Sequence, residues 1–184
     1  MSNSLPKLVI LDRDGVINYD SPDYIKSPEE WLPIESSLQA IKLLNDAGIK
    51  VGVASNQRGI GRGLYDEQAL AKITEKMHQA CADFGAHIDA IRYCPALERT
   101  HPDHKPNPGM LLSLLNEFSA KAEEVFFVGD KLTDVQTAIH ADCIPIMVET
   151  GYGVNEKAYA IEVAPHLLIY PNLLAFVEAL LRGN

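Results

Sequence analysis

Lys7-Leu8-Val9-Ile10-Leu11-Asp12-Arg13-Asp14-Gly15 is the stretch that decides the fold. Four apolar residues in a row behind one lysine suit a strand covered on both faces, and the run stops abruptly at Asp12. The pattern recurs. Ile49 to Ala54 ends at Ser55, Ile88 to Tyr93 ends at Cys94-Pro95, Val125 to Val128 runs into Gly129-Asp130, and Ile146-Met147-Val148 is a fifth, shorter run. Amphipathic helices are predicted between them. Leu38, Ile41, Leu44 and Ala47 recur at helical spacing behind the candidate caps Ser36 and Ser37, with Gly48 to close the turn. Asp66 is placed to cap a helix with a stripe of Leu70, Ile73, Met77, Ala80, Cys81 and Phe84, ended by Gly85. Three more helices follow: one carrying Met110 to Phe118, one from about Thr133 to Ala141, and a last from about Asn172 to Leu181. Strands alternating with helices imply a parallel sheet with helices on both faces, because right-handed crossovers leave few other topologies. The expectation is a single-domain, Rossmann-like α/β fold over residues 1–184.

The length agrees with one domain, since 184 residues bury a core without disulfides or a structural metal. Sixteen Lys and Arg against 25 Asp and Glu give a net charge of −9. That balance, with no basic run, argues against a nucleic-acid duplex or an anionic membrane as partner. A small anionic substrate is compatible with it. Cys81, Cys94 and Cys143 are odd in number and share no C-x-x-C spacing, so a disulfide framework is not expected. Met1 to Pro6 lack a charged segment followed by an apolar one, and no stretch approaches 18 apolar residues. A cytoplasmic setting is the expectation.

In parallel α/β sheets ligands bind beyond the carboxyl ends of the strands. Asp12, Ser55 and Asp130 are each the first polar residue after a buried strand, so they should face one crevice. Asp12 and Asp14, two apart in an extended exit, should project to the same side. With Asp130 they make three carboxylates, which repel unless a cation sits among them, and hard oxygen ligands suit Mg²⁺. Lys105 and the Ser55 hydroxyl can supply donors to a phosphate. Such a set suits phosphoryl transfer, with one carboxylate as nucleophile and a second, protonated on arrival of substrate, as general acid and then base.

Five strings appear in order: Leu11-Asp12-Arg13-Asp14-Gly15-Val16-Ile17-Asn18, Ser55-Asn56-Gln57-Arg58-Gly59-Ile60-Gly61-Arg62-Gly63, Tyr93-Cys94-Pro95, Lys105-Pro106-Asn107-Pro108-Gly109-Met110-Leu111 and Val128-Gly129-Asp130-Lys131-Leu132-Thr133-Asp134. Together they resemble the haloacid dehalogenase superfamily of phosphohydrolases, in the branch of heptose-bisphosphate phosphatases and histidinol-phosphatases. The resemblance spans about residues 7 to 153. It implies Asp12 as nucleophile, Asp14 as general acid/base, and Mg²⁺ on Asp12, the backbone carbonyl of Asp14, and Asp130. Ser55, Asn56, Gln57 and Lys105 would hold the transferring phosphoryl, with Lys131 beside metal and phosphate. Asp134 is expected to orient Lys105 or the metal shell. Members of this type have a minimal cap made of loops, here residues 19–31 and 58–64, and Arg58 and Arg62 on the second loop would receive another phosphate. The implied substrate is a small phosphorylated sugar, D-glycero-D-manno-heptose 1,7-bisphosphate losing its 7-phosphate, on a route to activated heptose and lipopolysaccharide core. The alternative is histidinol-phosphatase or another small-molecule phosphatase. A monomer is expected.

The chain departs from that pattern at Arg58, which stands where the family often has a small polar residue, and more widely around Cys94. The related enzymes carry a zinc loop with Cys-x-His and Cys-x-Cys ahead of an Arg-Lys pair. Here Cys94 stands alone, Ala96 replaces the His, and His104 replaces the Arg. Cys94, His101 and His104 make a poor zinc set against the four-ligand norm, so no structural zinc is expected. His104, if protonated, could still donate to a phosphate. Other residues carry plainer readings. Gly59, Gly61 and Gly63 do not form a nucleotide P-loop. Cys81 and Cys143 read as buried hydrophobes and His78 and His87 as surface residues. Trp31 either packs beneath the first loop or lines the pocket, and Arg13 either meets substrate or balances local charge. A phospho-acceptor receiver module would share the sheet and acidic site, but its acceptor Asp follows strand three, where this chain has Tyr93-Cys94-Pro95.

Overall fold

The computed structural model describes residues 5–183, so the reading of Met1 to Ser4 lies outside the described residues. Six strands run parallel in the order β3-β2-β1-β4-β5-β6: β1 (Leu8–Leu11), β2 (Lys50–Asn56), β3 (Ala90–Cys94), β4 (Phe126–Gly129), β5 (Ile144–Val148) and β6 (Leu168–Tyr170). Seven helices alternate with them: α1 (Glu35–Asp46), α2 (Arg58–Gly61), α3 (Glu67–Asp83), α4 (Gly109–Phe118), α5 (Leu132–His140), α6 (Gly153–Val163) and α7 (Leu173–Arg182). The order reverses beside β1, so β1 and β4 meet at the switch point where a crevice must open. Val9 pairs with Phe126 and Leu11 with Val128 there.

Side chains alternate along a strand, so β1 serves two cores. Val9 and Leu11 pack with Leu38, Ile41, Ile73, Met77 and Phe176 beneath α1, α3 and α7. Leu8 and Ile10 pack with Leu111, Leu114, Phe127 and Ala138 beneath α4 and α5. This is why the run had to be apolar at every position. Cys81 and Cys143 are buried, and burial pushes their thiols up to about 11 and about 12. Among the described residues, no helix is long and apolar enough to cross a membrane.

Local differences from the sequence expectation have physical causes. Helix α1 starts at Glu35, so Ser36 and Ser37 do not cap it. Ser37 instead lies buried in the first turn and donates its hydroxyl to Val16 O at 2.6 Å. Asp66 does cap α3, accepting from Ala69 N at 2.8 Å, but Phe84 falls past the helix end and is exposed. Helix α6 and strand β6 were not anticipated. Helix α6 buries only Gly153 and Ala160, so it has no apolar stripe to read, and β6 is a three-residue edge strand.

Trp31 is fully buried in the core, which settles it as a packing residue. Lys76 of α3 donates to Pro28 O at 2.6 Å and Trp31 O at 2.9 Å and so pins the 19–31 loop to the body. Truncating this indole should leave a large cavity. Trp31→Ala is expected to cost about 3–5 kcal/mol, read as a lowered urea midpoint; an unchanged midpoint would place the ring outside the core.

Candidate active site

The central strands end on polar residues because each apolar run stops where the helices cease to cover the sheet. β1 delivers Asp12, β2 ends on Ser55-Asn56, and β4 delivers Gly129-Asp130. A cavity of about 550 Å³ opens at these ends, within the usual range for small-molecule sites. Asp12, Ser55, Lys105, Lys131 and Asp134 are among its lining residues, and Asp130 is fully buried beneath them.

Carboxylate oxygens of Asp12, Asp130 and Asp134 lie within 4.8 Å of one another. All three side chains are buried. Lys105 answers two of them: its Nζ sits 3.0 Å from Asp12 Oδ1 and 2.6 Å from Asp134 Oδ1, and donates to Ala54 O at 3.2 Å. Burial works against the Lys105 ammonium, but Asp12 and Asp134 outweigh it and hold its pKa above the ordinary value. Asp12 takes Arg13 N at 2.8 Å as well, again on Oδ1. Burial raises the Asp12 pKa despite Lys105. Asp130 accepts from Tyr152 N at 2.8 Å through Oδ2, while its Oδ1 is buried with no hydrogen-bond partner. Burial pushes Asp130 up to about 8, against the pull of Lys131. An orphaned carboxylate oxygen beside a second crowded carboxylate is the donor set a hard divalent cation takes, so these residues fit Mg²⁺.

Asp14 does not join the carboxylate cluster as its spacing suggested. Its carboxylate is held by a fork from Arg13, with Nε to Oδ1 at 2.9 Å and Nη2 to Oδ2 at 3.0 Å, and by Asn18 Nδ2 at 2.9 Å and Gln57 Nε2 at 3.1 Å. Burial raises its pKa, yet Arg13 and the hydrogen bonds prevail and hold it below the usual carboxylate range. The arrangement thus favours the ionised form over the protonated one expected from the motif. Arg13 is fully buried and reaches Gln57 Oε1 at 3.2 Å, so it orients Asp14 and balances its charge.

The remaining expected residues divide. Asn56 Oδ1 accepts from Lys105 N at 3.1 Å, so this side chain positions the lysine backbone. Gln57 Nε2 donates to Ser55 Oγ at 3.0 Å, and Tyr65 donates to Gln57 Oε1 at 2.6 Å. Lys131 Nζ pairs with Asp20 Oδ2 at 2.8 Å, tying the 19–31 loop across the opening. Arg58 lines the cavity, whereas Arg62 is exposed and lies over the Tyr24 ring, 5.7 Å from its centroid. His104 is buried with Nδ1 2.9 Å from Ala96 O. A carbonyl only accepts, so Nδ1 carries the hydrogen; burial lowers the His104 pKa, and donation to a phosphate from a protonated ring is disfavoured. His101 Nδ1 lies 3.8 Å from Cys94 Sγ. The lining residues that were missed include Asp20, which had only its place in the first loop to mark it, and Tyr65, Arg99 and Tyr152, which no motif marks as site residues.

Comparison with known proteins adds four findings. A family model described as HAD-hydrolase-like matches residues 103–176. The chain is 42% identical over 176 residues to a D-glycero-beta-D-manno-heptose-1,7-bisphosphate 7-phosphatase of Pseudomonas aeruginosa, covering 95% of this chain and 98% of that one. It is 38% identical over 180 residues to the enzyme of that name from Neisseria meningitidis serogroup A, covering 97% and 96%. Among solved structures, a D,D-heptose 1,7-bisphosphate phosphatase of B. bronchiseptica complexed with magnesium and phosphate superposes with a TM-score of 0.92 at 40% identity, covering 97% of this chain and 99% of that one.

Two glycines shape the cluster. Gly15 has φ +83°, and a Cβ there would sit 2.2 Å from Asp130 Oδ2. Gly151, at φ +60°, would place one 2.1 Å from the same atom. Gly15→Ala is therefore expected to displace Asp130 and weaken Mg²⁺ binding by about tenfold or more, measured by calorimetric titration. Gly48→Ala is the control, with φ +75° but nothing within 4 Å: it carries about 1 kcal/mol of backbone strain and should leave Mg²⁺ affinity unchanged.

Proposed function

The chain belongs to the haloacid dehalogenase-like hydrolases, with the heptose-bisphosphate phosphatases, and from that premise we propose that it removes the 7-phosphate of D-glycero-D-manno-heptose 1,7-bisphosphate through a phosphoaspartate on Asp12. The observation that carries this is the state of the Asp12 carboxylate. Its contacts from Arg13 N and Lys105 Nζ both fall on Oδ1, and among the described residues Oδ2 accepts no hydrogen bond. One oxygen is thus fixed and the other is left for attack at the cavity wall.

In the first step an Asp12 oxygen bonds to phosphorus as the bond to the sugar oxygen breaks, and Asp14 gives that oxygen a proton. In the second, water bonds to phosphorus as the bond between phosphorus and the Asp12 oxygen breaks, releasing inorganic phosphate and the free carboxylate, and the water yields a proton to Asp14. The Arg13 fork presents Asp14 in the form that accepts this second proton. Carrying the first requires loosening of the hydrogen bonds from Gln57 or Asn18 as substrate enters. Ser55 and Lys105 hold the transferring phosphoryl, with Asn56 and Asp134 positioning Lys105, and Lys131 supplies a further cation. Asp12, the Asp14 carbonyl and Asp130 would hold Mg²⁺, which would supply positive charge near the transferring phosphoryl group. The 19–31 and 58–64 loops choose the sugar.

Asp12→Asn is expected to abolish phosphate release while the melting temperature holds. Asp14→Asn should lower kcat by about 10²–10⁴-fold, the range for losing a general acid/base. The decisive measurement is phosphate release from heptose 1,7-bisphosphate, histidinol phosphate and simple sugar phosphates, with and without Mg²⁺. Higher kcat/KM on histidinol phosphate would overturn the substrate, and full activity of Asp12→Asn would overturn the mechanism.

A further inference from the structure

The Gly-rich turn after β2 folds back on itself, with Arg62 N on Arg58 O at 3.0 Å and Leu64 N on Gly59 O at 2.9 Å. This lays the Tyr65 ring over Gly59, where a Cβ would sit 2.2 Å from the ring carbon Cε1. Only a glycine lets the ring lie there. The ring is half-buried in the cavity wall, and its hydroxyl donates to Gln57. Burial above all pushes that phenol up to about 12, so it keeps the hydrogen it donates. Neither the carboxylate cluster nor the expected phosphate contacts use this tyrosine.

The Gln57 amide that it meets is buried and held at both ends. Oε1 accepts from Tyr65 Oη at 2.6 Å and from Arg13 Nη2 at 3.2 Å. Nε2 donates to Asp14 Oδ2 at 3.1 Å and to Ser55 Oγ at 3.0 Å. An arginine only donates and a carboxylate only accepts, so the amide has one orientation. Arg13 Nη2 also lies 3.0 Å from Asp14 Oδ2, which makes its longer contact the weaker hold on Oε1. Tyr65 supplies the stronger one. Without it the flexible glutamine side chain is freer to turn away from Ser55.

The consequence falls on Ser55. A hydroxyl has one hydrogen to give and lone pairs to receive with. Ser55 Oγ receives from Gln57, and among the described residues its own hydrogen has no acceptor. Ser55 is buried at the end of β2 and lines the cavity. A buried donor left without an acceptor is costly, and an anionic oxygen entering the cavity removes that cost. Were the amide to turn its oxygen to Ser55, the serine would spend its hydrogen on the protein instead.

We propose that Tyr65 is a positioning residue for the transferring phosphoryl: acting through Gln57, it keeps the Ser55 hydroxyl as a hydrogen-bond donor to that group. The inference rests on the phosphatase reading and adds a residue to it. It also changes the part expected of Gln57, which acts on the phosphoryl through Ser55 rather than by contact. Gly59 is the position that lets the ring reach the amide.

The test is a double-mutant cycle read as kcat/KM for heptose 1,7-bisphosphate with Mg²⁺ supplied. Tyr65→Phe keeps the ring over Gly59 and is expected to melt with wild type. Its kcat/KM is expected to fall about three- to tenfold, the range for losing one neutral hydrogen bond. In a Ser55→Ala background the same substitution should change kcat/KM by less than about twofold, because the group it acts through is gone. In Ser55→Thr, which keeps the hydroxyl, the loss on Tyr65→Phe should return. An unchanged kcat/KM in Tyr65→Phe, or an equal loss with and without the Ser55 hydroxyl, would overturn the relay while leaving the phosphatase reading intact. Absence of phosphate release by the wild-type, Mg²⁺-supplied protein from heptose 1,7-bisphosphate, histidinol phosphate and simple sugar phosphates alike would overturn both.

Discussion

The structure is organised around a charge that is costly to bury. Three carboxylates gather within 4.8 Å where β1 and β4 end and α5 begins. Two such charges about 4 Å apart repel by about 4 kcal/mol at an effective dielectric of 20, and each loses several kcal/mol of hydration as well. Lys105 is the protein's own answer, in contact with Asp12, Asp134 and Ala54 O. Bringing a lysine into the interior requires the segment between β3 and α4 to enter the site, and the side chain of Asn56 holds it there by the Lys105 backbone. The loop that supplies Arg99 is the approach to that lysine. Stability and chemistry thus share one ion cluster.

Lys105 leaves one debt uncovered. Asp130 Oδ1 is buried without a partner, and the nearby Lys131 Nζ is 2.8 Å from Asp20 Oδ2. The Asp20 pairing spends the second lysine on closing the 19–31 loop. A site that leaves a buried carboxylate unsatisfied while holding a cation nearby is built to take charge from outside. Close backbone approach at Gly15 and Gly151 keeps Asp130 from turning away.

Sequence revealed most of this where one physical rule sufficed. The apolar run Leu8 to Leu11 had to be a central strand, and Asp12, Ser55 and Asp130 had to share an edge because parallel strands end together. What could not be read depended on side-chain direction or on weak periodicity. Asp14 is two residues from Asp12, yet Arg13 between them draws its carboxylate off, and no spacing rule shows which neighbour wins. Ser36 and Ser37 looked like caps by composition, but Ser37 was needed to satisfy Val16 O. Helix α6 buries two small residues and shows no stripe. Arg99 lies 41 positions from Arg58 in sequence, and only the loop tied by Asn107 brings it to the same cavity.

Net charge is therefore a poor guide to this site, and the reason is segregation. The chain carries −9 overall, but its negative charge enters the cavity mainly through Asp12, Asp14, Asp20 and Asp134. Each of those carboxylates faces a cation from the chain: Lys105, Arg13, Lys131 and again Lys105. Among the described residues, Arg58 and Arg99 on the β3 side form no ion pair with an acid, although both line the cavity. The lining thus changes from compensated acid to uncompensated base across one opening, and a ligand with anionic groups at both ends meets a different requirement at each. At the acidic end its charge must compete with carboxylates already in place, whereas at the basic end it completes a pair.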